Sequence, residues 1–243
     1  MPYTFKSYTI RMKKYSDQIS ESEATVKALL YMYGKSFAEE LDIKLESNTR
    51  SSIFQLFIAT LLFSIRINTR IALEAARAVF EQGWITPEKL ASSTWQSRIG
   101  VLDEAKYVRY DESMSRKLGE MAKVVIERYG GDIRRLRETA GRDPAREREL
   151  LKEFNGIGDV GVDIFFREIQ LNWDELYPFI DKRAAIAAKI LDLNANALAG
   201  FVSRKEFPRL AAALIRVDIF HGYEVVMKRA EQLRAAGRVM AYA

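Results

Sequence analysis

The amino-acid sequence predicts an all-α protein, and three observations support this prediction. Helix start signals recur along the chain: Ser20 and Glu23 have the spacing of a capping box, and Thr86 and Asp143 each precede a proline. Apolar residues recur at helical spacing between these signals, and the alternation typical of half-buried strands is scarce. We therefore expect roughly ten helices joined by short connections.

In chain order, the first of these helices begins after Ser20 and continues to Gly34. The glycine pair at 130–131 ends a helix over residues 115–129. Residues 132–150 are rich in charge and are expected to form a solvated helix–turn–helix surface, because a charge run alone is weak evidence for a phosphate-binding patch.

Composition restricts the classes of protein that are compatible with this chain. Its 243 residues are 48% hydrophobic, which supports a sizeable core in one large domain or two small ones. The net charge of +5 suits a polyanionic partner without requiring one. Because cysteine is absent, disulfides, thiolate zinc sites, iron–sulfur clusters and cysteine nucleophiles are excluded.

The N-terminal sequence has no secretory signal, and its basic residues Arg11, Lys13 and Lys14 are expected to be solvated surface. The longest apolar stretch, residues 53–67, is too short and too mixed in polarity to span a bilayer. We therefore expect a soluble cytoplasmic protein without a membrane partner.

The most informative segment is a predicted turn between two helices. One helix is expected to end near Phe154 and the next to begin at about Asp159, with Gly156 and Gly158 in the turn. Backbone N–H groups at the start of the second helix then face outward, where they can bind a phosphate oxygen without reading sequence. The alternative is a plain loop with a glycine pair at a helix end, which this spacing alone does not exclude.

The apolar frame on both sides of the turn favours the hairpin; its residues are Leu150, Leu151, Phe154, Val160, Val162, Ile164 and Phe165. Ile157 is predicted to pack inward and tie the two helices together, and Gly161 is predicted to let them approach closely. The residues expected to contact DNA at the hairpin are Asn155, Gly156, Ile157, Gly158, Val160 and Gly161.

Residues 154–161 resemble the hairpin of the endonuclease III-like DNA glycosylases, the helix-hairpin-helix family. In that family a helix, a proline-containing loop and the catalytic aspartate follow, and residues 176–181 are similar, with Pro178 and Asp181 in the matching places. The slightly longer interval suggests a small insertion around residues 172–175. The resemblance extends loosely over residues 51–227, but only the hairpin and the aspartate loop are specific.

The resemblance implies a fold of two helical lobes with an active-site cleft between them. Residues 51–170 would form a helical bundle that includes the hairpin, and residues 1–50 together with 171–243 would form the second lobe. It also implies a monomer whose partner is double-stranded DNA containing a damaged base. The enzyme would flip that base out and hydrolyse its N-glycosidic bond.

Asp181 is the candidate catalytic carboxylate. The transition state of base release resembles an oxocarbenium ion, which a nearby carboxylate stabilises, and the same group can orient the attacking water. The alternative is a plain helix N-cap, because a helix over residues 182–191 begins directly after it. The two interpretations are compatible.

Two positions depart from the family pattern. Val160 stands where many members carry a lysine nucleophile, so the resemblance implies a glycosylase without strong lyase activity. Lys182 could substitute for that lysine, but phosphate contact or solvation, together with Arg183, is the favoured role. Ile65 stands where the family often has a glutamine that fills the gap left by the flipped base; an apolar wedge or a core position are equal alternatives.

The remaining site residues are weaker candidates. Aromatic residues including Trp84 could line a base pocket, although aromatic residues at helical spacing more often belong to the core. The sole histidine, His221, is expected to be a structural residue within an apolar helix. No cofactor is required, but the family binds a monovalent cation through main-chain carbonyls at the hairpin. The pocket candidates are Phe63, Ser64, Tyr107 and Tyr110, and the carbonyls for Na⁺ or K⁺ would be those of Lys152, Phe154 and Ile157.

Two other functions remain open. The chain could be a non-catalytic DNA-binding protein that keeps the hairpin for sequence-independent phosphate contact, as the residues at 160 and 65 suggest. Alternatively, the hairpin could be coincidental in an unrelated helical enzyme or interaction module.

Overall fold

The computed structural model describes residues 19–242, with side chains up to residue 236, and this part of the chain is all-α. Thirteen α-helices and three short 3₁₀ helices account for its secondary structure, and it contains no strand, so the predicted fold class is confirmed. The predicted basic cluster Arg11, Lys13 and Lys14 lies outside the described residues. Within that described part, no helix is long and apolar enough to cross a membrane.

The chain divides into two compact units. The central unit is Ser36–Phe179, and the terminal unit combines the described residues 19–35 and 180–242. These boundaries differ from the expected ones at 50/51 and 170/171. Residues 36–50 and 171–179 belong to the central unit because they bury large side chains in its core, among them Phe37, Ile43 and Trp173.

The central unit is built from nine helices that follow helix α1 (Glu21–Tyr33) in the chain. Several are short, which is why the described residues contain more helices than expected. The nine are α2 (Phe37–Glu40), α3 (Arg50–Phe63), α4 (Thr69–Glu81), α5 (Pro87–Ser92), α6 (Trp95–Glu104), α7 (Asp111–Tyr129), α8 (Arg135–Thr139), α9 (Pro144–Lys152) and α10 (Asp159–Ile169).

Helix α3 forms the centre of this unit. Its residues from Ser52 to Leu62, except Gln55, are buried, so the helix is enclosed on all sides rather than on one face. The ring of Phe57 packs edge-on against Phe154 and Phe165, with ring centroids 4.8 and 5.6 Å apart. The last turns of α3 are therefore held in the same core as the segment that carries the predicted hairpin.

The predicted helix ends are largely confirmed. Ser20 forms a capping box with Glu23, and Thr86 and Asp143 each accept a backbone N–H ahead of a proline in the first helical turn. Gly130 ends α7 in the left-handed conformation, with φ 59°. The surface predicted over residues 132–150 consists of α8 and α9, but these helices also bury several side chains, including that of an acidic residue on α9.

The terminal unit consists of α1 and the last three helices, α11 (Lys182–Ile190), α12 (Phe207–Ile219) and α13 (Tyr223–Tyr242). Helix α1 packs on α12 and α13, and α11 packs on α12. The expectation for His221 is wrong: it lies after α12, is exposed and has φ 53°. The apolar helix ends at Ile219 because the Gly222 N–H bonds the Val217 carbonyl at 2.9 Å and reverses the chain.

Candidate functional site

The predicted turn joins α9 and α10. Helix α9 ends at Lys152, α10 begins at Asp159, and the Ile157 N–H donates to the Phe154 carbonyl at 2.9 Å within the turn. Gly156 has φ +96°, a conformation that side-chain-bearing residues adopt only with strain. The reversal therefore occurs where the sequence predicts it, and Gly156 is the glycine that the backbone requires.

The turn is packed against two other helices of the central unit. A Cβ atom on Gly156 would lie 2.8 Å from Cδ1 of Leu61 on α3 and 2.9 Å from Cδ of Lys117 on α7. A Cβ on Gly158 would meet nothing within 4 Å. The two glycines thus have different roles, since only Gly156 makes room for neighbouring side chains.

Gly161 allows a close approach, but its partner differs from the expected one. A Cβ there would lie 2.5 Å from Oγ of Ser64 and 3.2 Å from Cγ2 of Ile157, which is buried. The first turn of α10 therefore lies against the C-terminal end of α3, rather than approaching α9 through this glycine. The structure thus brings the start of α10 close to Ser64, although the two are far apart in the sequence.

The N-terminus of α10 has no side-chain cap. Gly158 occupies the N-cap position, whereas helices such as α3, α9 and α11 are capped by Thr49, Asp143 and Asp181. Gly158 is exposed, and the Val160 side chain is 62% exposed. Helix N–H groups in such a position can donate to an anion, because the positive end of the helix dipole adds to their attraction.

Charges around the turn are mixed. The Asp159 carboxylate lies 3.3 Å from Nζ of Lys152, and Arg128 forms an ion pair with Glu153. Asn155, a predicted DNA contact, is exposed, and its side-chain amide donates to Glu120 at 2.9 Å.

Lys117 is the residue at this turn that sequence reasoning missed. Its side chain lies against Gly156, and within the described part of the chain its ammonium has no ion pair or hydrogen bond. It precedes the turn on a different helix, and a single lysine on a long amphipathic helix carries no signal of such a contact. Its positive charge therefore lies next to the turn.

The predicted base-pocket residues are distributed unequally. Tyr107 is fully buried, and its hydroxyl donates to the Leu62 carbonyl at 2.8 Å; burial raises the pKa of this phenol. Tyr107 is therefore a core residue, the alternative that the sequence left open. Phe63 is half-buried and stacks on Phe37, with ring centroids 4.5 Å apart.

The other candidates near the end of α3 are partly exposed. Ser64 donates to the Thr60 carbonyl at 2.6 Å, and Ile65 is half-buried against the core. Tyr110 is half-buried beneath the guanidinium of Arg109, 5.3 Å from its ring centroid, and Trp84 also packs on the core. Ile65 therefore contacts the core and is partly exposed, which excludes neither of its predicted roles.

Asp181 lies within the terminal unit as the N-cap of α11. Its Oδ1 accepts the Ala184 N–H at 2.9 Å, and the residue is only 6% exposed. The predicted cap is therefore confirmed. This bond fixes the orientation of the carboxylate at the start of the helix.

The chain leading to Asp181 is held within the central unit. The buried side chain of Gln170 accepts the Phe179 N–H at 2.9 Å and donates to the Phe179 carbonyl at 3.3 Å. The Phe179 ring also packs edge-on against Phe166, 5.4 Å between centroids. Because Gln170 follows α10 directly, the same helix that begins at the turn anchors the chain two residues before Asp181.

The two basic residues after Asp181 differ in their partners. Arg183 donates to Asp218 at 2.6 Å, and Asp218 also accepts the Tyr223 hydroxyl at 2.7 Å. Burial opposes ionisation of Asp218, but these donors hold its pKa below the usual value. Within the described residues Lys182 has no such partner, so it is the more available cation of the two.

The described residues contain no group of three or more His, Asp or Glu side chains that could hold a metal ion. The expected monovalent cation would instead use main-chain oxygens, and the Phe154 carbonyl already accepts the Ile157 N–H. A carbonyl oxygen has a second lone pair, so this geometry remains compatible with a cation.

Comparisons with protein-family models, with curated proteins and with solved structures give no match. Function is therefore inferred from the residues and their geometry.

Proposed function

We propose that this protein binds double-stranded DNA and removes a damaged base by hydrolysing its N-glycosidic bond. The observation that carries the proposal is the turn at Gly156–Gly158, which begins α10 without a side-chain cap and leaves its first residues exposed. The proposed contact is between these backbone N–H groups and a phosphate of the DNA strand. Such a contact positions the strand without reading its sequence.

Packing supports the turn as a rigid binding element. Leu61 and Lys117 fill the space that a side chain at 156 would need, and Ile157 is buried beneath the turn. A preformed backbone conformation loses little entropy when it binds a ligand. Lys117 would add a positive charge beside the phosphate.

Asp181 is the proposed catalytic carboxylate. Its negative charge would stabilise the cationic sugar in the transition state, and it would orient the water that attacks the sugar. The Ala184 N–H holds one of its oxygens, so the carboxylate needs no reorientation during the reaction. No metal is needed for these two roles.

We further propose that the reaction leaves an intact abasic strand. Val160 has no amine to attack the sugar, and Arg183 is held by Asp218. Lys182, which follows Asp181 directly, is the first candidate for a lyase nucleophile. Ile65, half-buried at the end of α3, is the proposed filler of the gap that the flipped base leaves.

The proposal is tested by Asp181→Asn, with base release and duplex affinity measured separately. Asparagine caps helices as well as aspartate does, so the variant keeps the fold while it loses the charge. We expect base release to fall at least about 100-fold, the order of loss seen when one electrostatic transition-state contact is removed. Affinity for the same duplex should stay within about threefold of wild type.

Asp192→Asn is the matched control, because Asp192 is exposed in the same unit and has φ 55°, a conformation that asparagine tolerates. It should leave both quantities unchanged. Excision by Asp181→Asn at the wild-type rate would show that another group carries the chemistry.

A second candidate function is DNA binding without catalysis. It is favoured by one observation, the exposed valine at position 160 in place of an amine. It predicts salt-dependent duplex binding and no abasic product with any lesion, whereas the glycosylase proposal requires both binding and product.

A further inference from the structure

A buried acidic residue lies on α9, away from the turn. Glu147 is fully buried, and neither of its carboxyl oxygens meets a hydrogen-bond donor when the group is taken as an anion. A buried anion without a donor or a cation is strongly unfavourable. The protonation state of this side chain therefore needs a physical explanation.

The group that faces Glu147 is a second carboxyl, that of Glu175 in the 3₁₀ helix Asp174–Leu176. Arg137 of α8 donates to both oxygens of Glu175 and also to the Asn172 carbonyl, so its charge is committed there. Asp143 at the start of α9 adds negative charge to the surroundings of Glu147. The positive charge of Arg137 acts in the opposite direction and lowers the pKa of Glu147.

This arrangement gives the two carboxyls different pKa values. We call Glu147 and Glu175 the acid pair. Burial raises the pKa of Glu147 to about 8, and the hydrogen bond to Glu175 and its negative charge act in the same direction. Burial opposes ionisation of Glu175 as well, but hydrogen bonds from Arg137 and Glu147 lower its pKa to about 2. The raised pKa of Glu147 and the lowered pKa of Glu175 together favour a single proton held at Glu147.

We propose that the acid pair is a pH-sensitive connection, closed by one shared proton, that ties α9 to residues 172–176 and loosens when that proton leaves to solvent. Two adjacent negative charges would then share a single guanidinium in the core. Because α9 leads directly into the turn at 153–158, loosening at α9 would reach the turn. The proposal does not depend on the function assigned to the candidate site.

The direction of the pH effect follows from the two groups. Glu147 has an ordinary pKa of 4.5 when unfolded, so its contribution to stability is fully present below pH 4.5 and is lost as pH rises to about 8. The contribution of Glu175 is present above pH 4.5 and is lost only as pH falls towards 2. Between about pH 5 and 9, the contribution of the acid pair to the stability of the protein can therefore only fall as pH rises.

The test is thermal unfolding of the full chain between about pH 5 and 9.5, for wild type, Glu147→Gln and Glu149→Gln. The amide that Glu147→Gln introduces donates to Glu175 at every pH, so we expect the Tm of this variant to stay nearly constant while that of wild type falls by several degrees. Above about pH 8 the variant should be the more stable protein. Glu149 is exposed on the same helix, and its variant should follow wild type.

A Tm of Glu147→Gln that falls in parallel with wild type, or lies below it at about pH 9, would overturn the proposal. If the variant does not fold, carboxyl ¹³C NMR of glutamate-labelled wild type gives the answer directly. One glutamate should titrate at about pH 8. Titration of every glutamate below about pH 6 would show that the acid pair holds no shared proton.

Discussion

Gly156 and Gly158 flank Ile157 symmetrically in the sequence, yet the structure predicts opposite responses to alanine. Gly156→Ala forces a side-chain-bearing residue to φ +96° and places its Cβ 2.8 Å from Cδ1 of Leu61. Gly158→Ala places a Cβ in open space at φ −104°, which any residue adopts. The difference in unfolding free energy between the two variants measures how closely neighbouring side chains pack against the turn at Gly156.

The magnitude for Gly156→Ala has two contributions. A positive φ costs an alanine about 1–2 kcal/mol. The contact with Leu61, a fully buried side chain, adds about 1–3 kcal/mol of overpacking, so we expect a total of about 3 kcal/mol. Gly158→Ala should change stability by less than about 1 kcal/mol, since alanine is only a weaker N-cap than glycine.

Urea unfolding followed by circular dichroism measures both variants. Gly83→Ala is the control for the backbone term, because Gly83 has φ +74° and a Cβ there meets nothing within 4 Å. A Leu61→Ala background isolates the contact: Gly156→Ala should then cost only about 1–2 kcal/mol. Equal costs for the two glycines of the turn, or a larger one for Gly158→Ala, would refute the packing described for this segment.

Two further predictions concern the surroundings of the turn. Lys117→Gln should weaken binding of undamaged duplex about three- to tenfold and reduce by about one the slope of log affinity against log salt concentration. Lys123→Gln, an exposed change on the same helix, is the control and should alter neither quantity. Equal salt slopes for the two variants would exclude Lys117 as a phosphate contact. Tyr107→Phe leaves the Leu62 carbonyl in the last turn of α3 without its donor, so stability should fall by about 1–2 kcal/mol in urea unfolding; an unchanged midpoint would mean that this bond contributes nothing.

Much of the local structure could be predicted from the sequence, because it depends on neighbouring residues. The capping box at Ser20, the proline-led starts after Thr86 and Asp143, and the cap at Asp181 are all fixed by side chains within three residues of the helix end. The start of α10 at Asp159 follows from the glycines in the same way. The all-α class is the sum of such local signals.

Long-range contacts were not predictable in this way. The sequence predicts unit boundaries at 50/51 and 170/171, because no local signal shows that Phe37 and Trp173 enter the central core. The burial of Tyr107 depends on a carbonyl 45 residues away, and the close partner of Gly161 is Ser64 on another helix. The left-handed turn at His221 was missed because apolar residues continue to Phe220.

The central claim, that the chain releases bases from DNA, is tested most directly by an excision assay with the wild-type protein. End-labelled duplexes carrying oxidised, deaminated or alkylated bases are incubated with the protein, and each reaction is split for treatment with or without hot alkali. We expect strand cleavage only after alkali, with at least one lesion, because Val160 cannot open the sugar. Cleavage without alkali would contradict the proposed hydrolytic mechanism and point to Lys182, and no cleavage in either half with any lesion would contradict the assignment of glycosylase activity.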